Sequence, residues 1–188
     1  MSSRDAYCHL GVKTRFGPVA IVWENRGDKP MVRQIFLSKP GLHADAYRKE
    51  LFHGSIESSC GLVDELAERI AAFLDGATVS FPLESMRLEL CPPFQQRALL
   101  AEYGIPRGRV STYSRIAAHL GVPGGARAVG NALAKNPFPI VIPCHRAIRS
   151  DGTLGGYQGG LAMKRALLVQ EGVDADERGT VVSPNLFY

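Results

Sequence analysis

Along the first third of the chain, apolar residues come in short runs that turn residues interrupt. Tyr7 to Lys13 and Pro18 to Trp23 are two such runs, joined through Thr14-Arg15-Phe16-Gly17, and Met31 to Leu37 follows a second turn at Gly27-Asp28-Lys29-Pro30. Runs of this length, bounded by Gly and Pro, predict β-strands and together an antiparallel meander. The period then changes. Between Gly61 and Gly76 the residues Leu62, Val63, Leu66, Ala67, Ile70, Phe73 and Leu74 recur at helical spacing, with Asp64, Glu65, Glu68 and Arg69 on the other side. That is the pattern of an amphipathic helix packed on a sheet. Val79 to Leu90 reads as one more extended piece.

Cys91-Pro92-Pro93 stops regular structure, and beyond it the pattern is helical. Phe94 to Glu102 forms one helix, ending near Gly104. Tyr113 to Leu120 forms another, with Ser111-Thr112 as its N-cap and Gly121 as its stop, and small residues continue the theme from Gly125 to Ala134. Two short helices joined by a tight glycine-containing turn have the outline of a helix-turn-helix, an outline many proteins that never touch DNA share. Ile140-Val141-Ile142 reads as a buried strand that ends at Pro143-Cys144-His145-Arg146. A glycine-rich loop follows, Gly155-Gly156-Tyr157-Gln158-Gly159-Gly160, then an amphipathic helix from Leu161 to Glu171 that Gly172 closes. The tail from Val173 to Tyr188 offers Val181, Val182, Leu186 and Phe187 as its few core candidates, so loose order is expected there.

Composition narrows the class. The 188 residues are 45% apolar and 21% charged, enough to bury a core in one large domain or two small ones and too apolar for a disordered chain. No apolar run approaches the length of a membrane span, and the N-terminus lacks the hydrophobic segment of a signal peptide, so a soluble intracellular protein is expected. The net charge of +4 is unevenly spread. Met1 to Pro93 holds 11 basic and 12 acidic residues, whereas Phe94 to Glu171 holds 10 basic and 3 acidic. A surplus confined to one segment favours a polyanionic partner, although a solvated basic face gives the same count. The four cysteines, Cys8, Cys60, Cys91 and Cys144, form no CxxC pair, which excludes a zinc ribbon and a disulfide framework. Cys8, His9, His43, His53 and Cys60 could gather around a metal, but no local spacing supports this, and no metal site is expected.

Cys144 has the richest surroundings. It sits where an apolar run meets a loop, with His145 and Arg146 beside it. A free thiol has a pKa of roughly 8.5, and a neighbouring base or cation increases the thiolate fraction that acts as nucleophile. Pro143 fixes the backbone ahead of it, and the glycine-rich loop behind it allows a ligand to approach closely. That loop lacks the GxxxxGK[ST] spacing of a phosphate-binding P-loop.

Pro143-Cys144-His145-Arg146, preceded by Asn136-Pro137-Phe138-Pro139-Ile140 and followed by Gly159-Gly160-Leu161-Ala162, resembles the O6-alkylguanine-DNA alkyltransferases. Further matches lie at Val110 to Ala117, at Ala126-Arg127-Ala128-Val129-Gly130 and at Glu171-Gly172, so the resemblance runs from about Pro93 to Gly172. It implies that Cys144 is the alkyl acceptor, that His145 removes its proton through a water, and that Glu171 orients the histidine. Asn136 would hold the active-site turn. Tyr113 would help rotate the target nucleotide and hydrogen-bond the guanine, and Arg127, beside Ala126, would enter the duplex where the base has left. Ala147, Tyr157, Gln158 and Arg146 would wall the base pocket. Arg109, Arg115, Lys135 and Arg149 are candidate phosphate contacts. The family pattern has a bulky aromatic, often Trp, soon after Phe-Gln, where this chain has Ala98-Leu99; a change of packing is expected there.

The fold expected from the resemblance is a small α/β domain over 1–91, ribonuclease-H-like with an antiparallel sheet plus helix. A mainly α, winged-helix or helix-turn-helix-type catalytic domain over 92–172 and a tail over 173–188 would follow. The expected activity is direct reversal of O6-alkylguanine, possible also on O4-alkylthymine, in double-stranded DNA by a monomer without cofactor, away from membranes, in the cytoplasm or a nucleus. The alkyl group would stay on Cys144, limiting each molecule to one turnover. Two rivals differ in kind: a lesion-sensing helix-turn-helix protein without chemistry, which would not need Cys144, and a Cys-His hydrolase, which would turn over and would not need Arg127.

Overall fold

The computed structural model describes residues 7–182 and 185–188; the expectation about a signal peptide falls partly on Met1 to Ala6, outside them. The chain divides into two compact units, one ending at Arg87 and taking in Pro137–Val141, the other comprising Leu88–Asn136 and Ile142–Tyr188. The expected boundaries were 1–91, 92–172 and 173–188. Backbone hydrogen bonds from Val32 to Ser85 and from Arg87 to Val32 hold the chain to the sheet as far as Arg87. The segment after Asn136 returns to the first unit, and the tail is part of the second.

The first unit is built on β1 (Cys8–Val12), β2 (Val19–Arg26) and β3 (Lys29–Leu37), an antiparallel meander as the apolar runs predict. Two helices accompany it, α1 (Ala44–Leu51) and α2 (Gly61–Leu74). Sequence reasoning did not anticipate α1. It also missed β4 (Ile56–Glu57), which pairs in parallel with β1, so the sheet is mixed, in the order β3-β2-β1-β4, and not purely antiparallel. Ala20 and Val22 of β2 pack with Phe36 and Ala44 against Tyr7, Tyr47 and Phe52. Alternation along the strand leaves Val19, Ile21 and Trp23 for the opposite face, and these five residues are all buried. The expected extended piece at Val79 to Leu90 is a loop with a single bridge from Met86 to Val32 and one 3-10 turn over Leu88–Leu90.

The second unit contains α3 (Pro93–Tyr103), β5 (Ser111–Thr112), α4 (Tyr113–His119), α5 (Ala126–Ala134), β6 (Ala147–Ile148) and α6 (Leu161–Gln170). The side chain of Thr112 accepts a hydrogen bond from the Arg115 amide at 3.2 Å, the N-cap that the sequence announces for α4. β5 and β6 pair in parallel and are only two residues each. Val110, Ile148, Leu154, Leu168, Val173 and Val181 form one core cluster, with Leu186 packed against it. The described residues of the tail therefore pack into the unit, where loose order was expected. Val110 exchanges backbone hydrogen bonds with Asn185 and Phe187, the Ser111 hydroxyl donates to the Phe187 carbonyl at 2.7 Å, and the Tyr188 hydroxyl donates to the Ala101 carbonyl at 2.8 Å.

The run Ile140-Val141-Ile142 is buried as predicted but is a tight turn, not a strand. Pro137, Pro139 and Pro143 remove three backbone donors from this short stretch, so no regular ladder runs through it. Ile140 sits at φ 75°, a conformation rare outside glycine. No helix among the described residues is long and apolar enough to cross a membrane. Nor do the described residues gather three or more His, Cys, Asp or Glu side chains as a metal would require.

Candidate active site

Everything that follows lies within the second unit. A single 3-10 turn, Cys144–Arg146, places three consecutive side chains in different surroundings. The Cys144 amide bonds the Ile142 carbonyl at 2.8 Å, and the side-chain amide of Asn136 donates to the same carbonyl at 3.0 Å. Asn136, fully buried, thereby ties the two ends of the proline-rich turn together.

Cys144 forms part of the wall of a cavity of about 570 Å³, a size ordinary for a small-molecule or base site. Tyr113 at the start of α4, Ala126, Arg127, Gly130 and Asn131 of α5, and Arg149, Ser150, Tyr157 and Gln158 from the loops also line it. The loop is held in place from below, because Gln158 donates to the Asn136 carbonyl at 2.6 Å. It comes close because it is glycine: Gly155 has φ 67°, and a Cβ there would lie 2.8 Å from the Tyr113 hydroxyl oxygen.

His145 points away from solvent entirely, and its Nε2 lies 3.0 Å from Glu171 Oε1. Glu171 caps the C-terminus of α6 and also accepts from Arg146, at 2.8 Å on Oε2 and 2.7 Å on Oε1. Burial opposes the Glu171 carboxylate, yet the hydrogen bonds from His145 and Arg146 outweigh it and hold its pKa down to about 2. Burial depresses the His145 pKa, with Glu171 pulling the other way, so the ring is neutral near pH 7 and able to take a proton. Burial pushes the Cys144 thiol up to about 11, against a hydrogen bond from Asn136 that favours the thiolate. At rest the sulfur is therefore a protonated thiol. Tyr113 is pushed up to about 12, by burial first and then by Glu102 and Cys144, and remains a hydrogen-bond donor at the cavity wall. The Tyr157 hydroxyl is buried and has no hydrogen-bond partner among the described residues.

Of the residues singled out from sequence, Cys144, Tyr113, Ala126, Arg127, Arg149, Tyr157 and Gln158 come together around the cavity, while His145, Glu171 and Asn136 stand behind its thiol. Two expected pocket residues are elsewhere. Arg146 is turned onto Glu171 and onto the Ile105 carbonyl at 2.6 Å. Ala147 is buried in β6, where its carbonyl accepts from Lys164 Nζ at 2.6 Å. Arg109 donates to Asn185 at 3.2 Å and lies over the Phe187 ring, and Arg115 Nε donates to the Tyr188 main-chain oxygen at 2.7 Å, so both expected phosphate contacts are engaged by the tail. Lys135 is exposed at the C-cap of α5.

Two charged residues at the site went unremarked in the sequence. Lys164, Leu167, Leu168 and Glu171 occupy one buried stripe of α6, and Ala98, Leu99 and Glu102 one buried stripe of α3. The signal was a charge at an apolar position of a helical repeat, which single-sequence reading attributes to a solvated edge.

The DNA-binding-domain model of 6-O-methylguanine DNA methyltransferases matches residues 93–173. A methylated-DNA–protein-cysteine methyltransferase of Salmonella typhimurium is 41% identical over 154 residues, 81% of this chain and 82% of that protein. One from Methanothermobacter thermautotrophicus is 47% identical over 61% of this chain and 64% of its own length, and one from Mycobacterium leprae is 43% identical over 66% of its length. The chain thus spans just under two thirds of those two relatives. The crystal structure of Mycobacterium tuberculosis O6-methylguanine methyltransferase is similar with a TM-score of 0.70 at 30% identity, covering 90% of this chain and 96% of that one. A structure of the Mycobacterium tuberculosis protein OGT in complex with DNA reaches 0.66 at 31% identity, covering 87% and 92%.

Proposed function

Because this chain belongs to the methylated-DNA–protein-cysteine methyltransferase family, we propose that it repairs O6-alkylguanine in DNA by moving the alkyl group onto Cys144. The observation that carries the reading is the thiol in the cavity wall with the buried His145–Glu171 pair next to it.

An alkyl group on O6 of a stacked guanine is out of a protein thiol's reach, so the nucleotide must leave the duplex at a cost of a few kcal/mol. Arg127, exposed on α5 and lining the cavity, is the side chain suited to fill the vacated space. The α4–α5 pair acts as a helix-turn-helix that lays α5 on the DNA, with Lys135 and Arg149 meeting phosphates. In the cavity Tyr113 donates to the guanine. His145, held by Glu171 through Nε2, takes the thiol proton through a water. The thiolate attacks the carbon on O6, an S–C bond forms, the C–O bond breaks with its pair on the guanine, and the proton ends on the guanine ring. The thioether has no route back, so each molecule acts once. No cofactor enters this scheme. We place the protein away from membranes, in the cytoplasm or a nucleus, and infer a monomer, since one unit carries the cavity, the thiol and α5.

The test is intact mass measurement after mixing the protein with a duplex carrying one O6-methylguanine, followed by peptide mapping. One methyl on Cys144, never more than one per chain and none with unmodified DNA, is the expected result. Tight lesion binding without an adduct would make this a damage-sensing DNA-binding protein.

A further inference from the structure

Glu102 has no place in the scheme above. It lies on α3 at 0% exposure, and both of its carboxylate oxygens lack a hydrogen-bond partner among the described residues. Buried carboxyl groups are ordinarily paired, because an isolated ion in such a site is costly. Lys164, on α6, is equally buried, and its Nζ is gripped by the carbonyls of Ala147 and Leu154, with Gly156 at 3.4 Å. No hydrogen bond joins the two. Both act on Ala147: its carbonyl accepts from Lys164 Nζ, and its amide favours the ionised Glu102 carboxylate. That residue immediately follows the turn carrying Cys144, and both charges act on the sulfur, Lys164 favouring the thiolate and Glu102 opposing it.

We propose that Glu102 and Lys164 form a buried charge couple behind Cys144, in which Glu102 is a positioning residue that sets, through its proton, how readily the thiol ionises. With Glu102 protonated and Lys164 charged, the couple carries one positive charge, and a thiolate at Cys144 makes the group of three neutral. When the couple loses a proton it becomes neutral, and a thiolate beside it is an uncompensated buried charge. Burial places both titrations in the accessible range, pushing Glu102 up to about 8 and Lys164 down to about 8, and the proton lost belongs to the pair. The other groups facing Glu102 are Arg146 of the active-site turn, Tyr113 of α4 and Tyr188 of the tail. Arg146 is fixed on Glu171, and the tyrosines stay neutral through this range, so Lys164 and Cys144 are the partners that respond.

The inference rests on Cys144 being the reactive thiol, and its test does not require DNA. Iodoacetamide, small enough to enter the cavity, is reacted with the full chain between pH 6.5 and 9.5, and carbamidomethylation of Cys144 is timed by peptide mapping. Removing the carboxylate with Glu102→Gln leaves the wild-type rate nearly unchanged at pH 6.5 and exceeds it increasingly above pH 8. At pH 9 the gain is about tenfold for each pKa unit by which the carboxylate had raised the thiol. Glu102→Leu, which removes the charge without a buried amide, shows the same divergence. A ratio of variant to wild type that stays constant with pH in both variants overturns the proposal, because a purely structural effect of residue 102 moves the rate alike at every pH. Methyl transfer from the O6-methylguanine duplex is followed alongside. Diverging iodoacetamide profiles without any transfer would sustain the couple and defeat the repair reading, and transfer with parallel profiles would do the reverse.

Discussion

Glu171 and Glu102 are both buried carboxyl groups, and their surroundings push them in opposite directions. Glu171, held by His145 and Arg146, titrates near 2 when folded, below the ordinary 4.5. Its ionised form therefore stabilises the fold by about 3 kcal/mol above pH 4.5, a contribution lost as the pH falls toward 2. Glu102, with no counter-charge bonded to it among the described residues and titrating near 8, behaves oppositely: the fold keeps it neutral, so stability is complete below pH 4.5 and declines as the pH rises toward 8. At pH 7 the deficit is about 3 kcal/mol. Thermal unfolding separates the two. Glu102→Leu raises Tm by about 5–10 °C at pH 7.5 and leaves it nearly unchanged at pH 4.5, whereas Glu171→Gln lowers Tm at pH 7.5. An equal shift at both pH values for Glu102→Leu would mean that packing, not charge, decides the effect. Glu171→Gln also replaces the charged acceptor of the His145 ring with a neutral amide that no longer stabilises the imidazolium, and single-turnover methyl transfer slows about 10²–10⁴-fold, the usual worth of a positioned base. Cys144→Ala abolishes the adduct while lesion binding persists.

At the level of elements, the long periodic segments were readable and the short, context-held ones were not. The three strands and helices α2 to α6 follow from apolar period and from end signals such as Thr112, Gly121 and Gly172. By contrast β4, β5 and β6 are two residues each, and no local pattern marks pairings that tertiary neighbours impose. The Ile140 turn was misread because three apolar β-branched residues look like a strand until the flanking prolines are counted as missing donors. At the site, the motif around Cys144 and the separate match at Glu171-Gly172 single out residues that the fold brings together, Asn136, His145 and Glu171 among them, but the orientation of Arg146 and Ala147 was not legible, since a motif fixes order along the chain and not which way each side chain turns. The loop after β6 supplies a further expectation. Gly155→Ala forces an L-residue to φ 67° and drives a methyl toward Tyr113. Backbone strain alone costs about 1–2 kcal/mol. Because the displaced group is the tyrosine hydroxyl, transfer from the lesion duplex falls more than stability does. A variant that melts earlier yet transfers at the wild-type rate would show that Tyr113 does not need its present position.

At the scale of the whole molecule, charge count and charge availability part company. Residues 94–171 carry 10 basic and 3 acidic side chains, which taken alone suggests a long list of phosphate contacts. The tail changes that figure: Asn185, Phe187 and Tyr188 engage Arg109 and Arg115, Glu171 takes Arg146, and Arg165 donates to the carbonyls of Ala175 and Asp176. Arg127, Lys135 and Arg149 remain exposed near the cavity. Each phosphate neutralised by a side chain contributes about −0.9 to the slope of log K against log salt on duplex DNA. Binding through these three gives a slope of about −2.7, whereas adding Arg109 and Arg115 would bring it to about −4.5. Fluorescence anisotropy with an unmodified duplex, titrated at several salt concentrations, reads the slope directly. Alanine at Arg127, Lys135 or Arg149 reduces its magnitude by about 0.9 each, and alanine at Arg109 or Arg115 leaves it in place while loosening the tail. A slope near −4.5 that drops on Arg109→Ala would mean that the tail releases its arginines when DNA arrives, making phosphate and tail rivals for the same guanidinium groups.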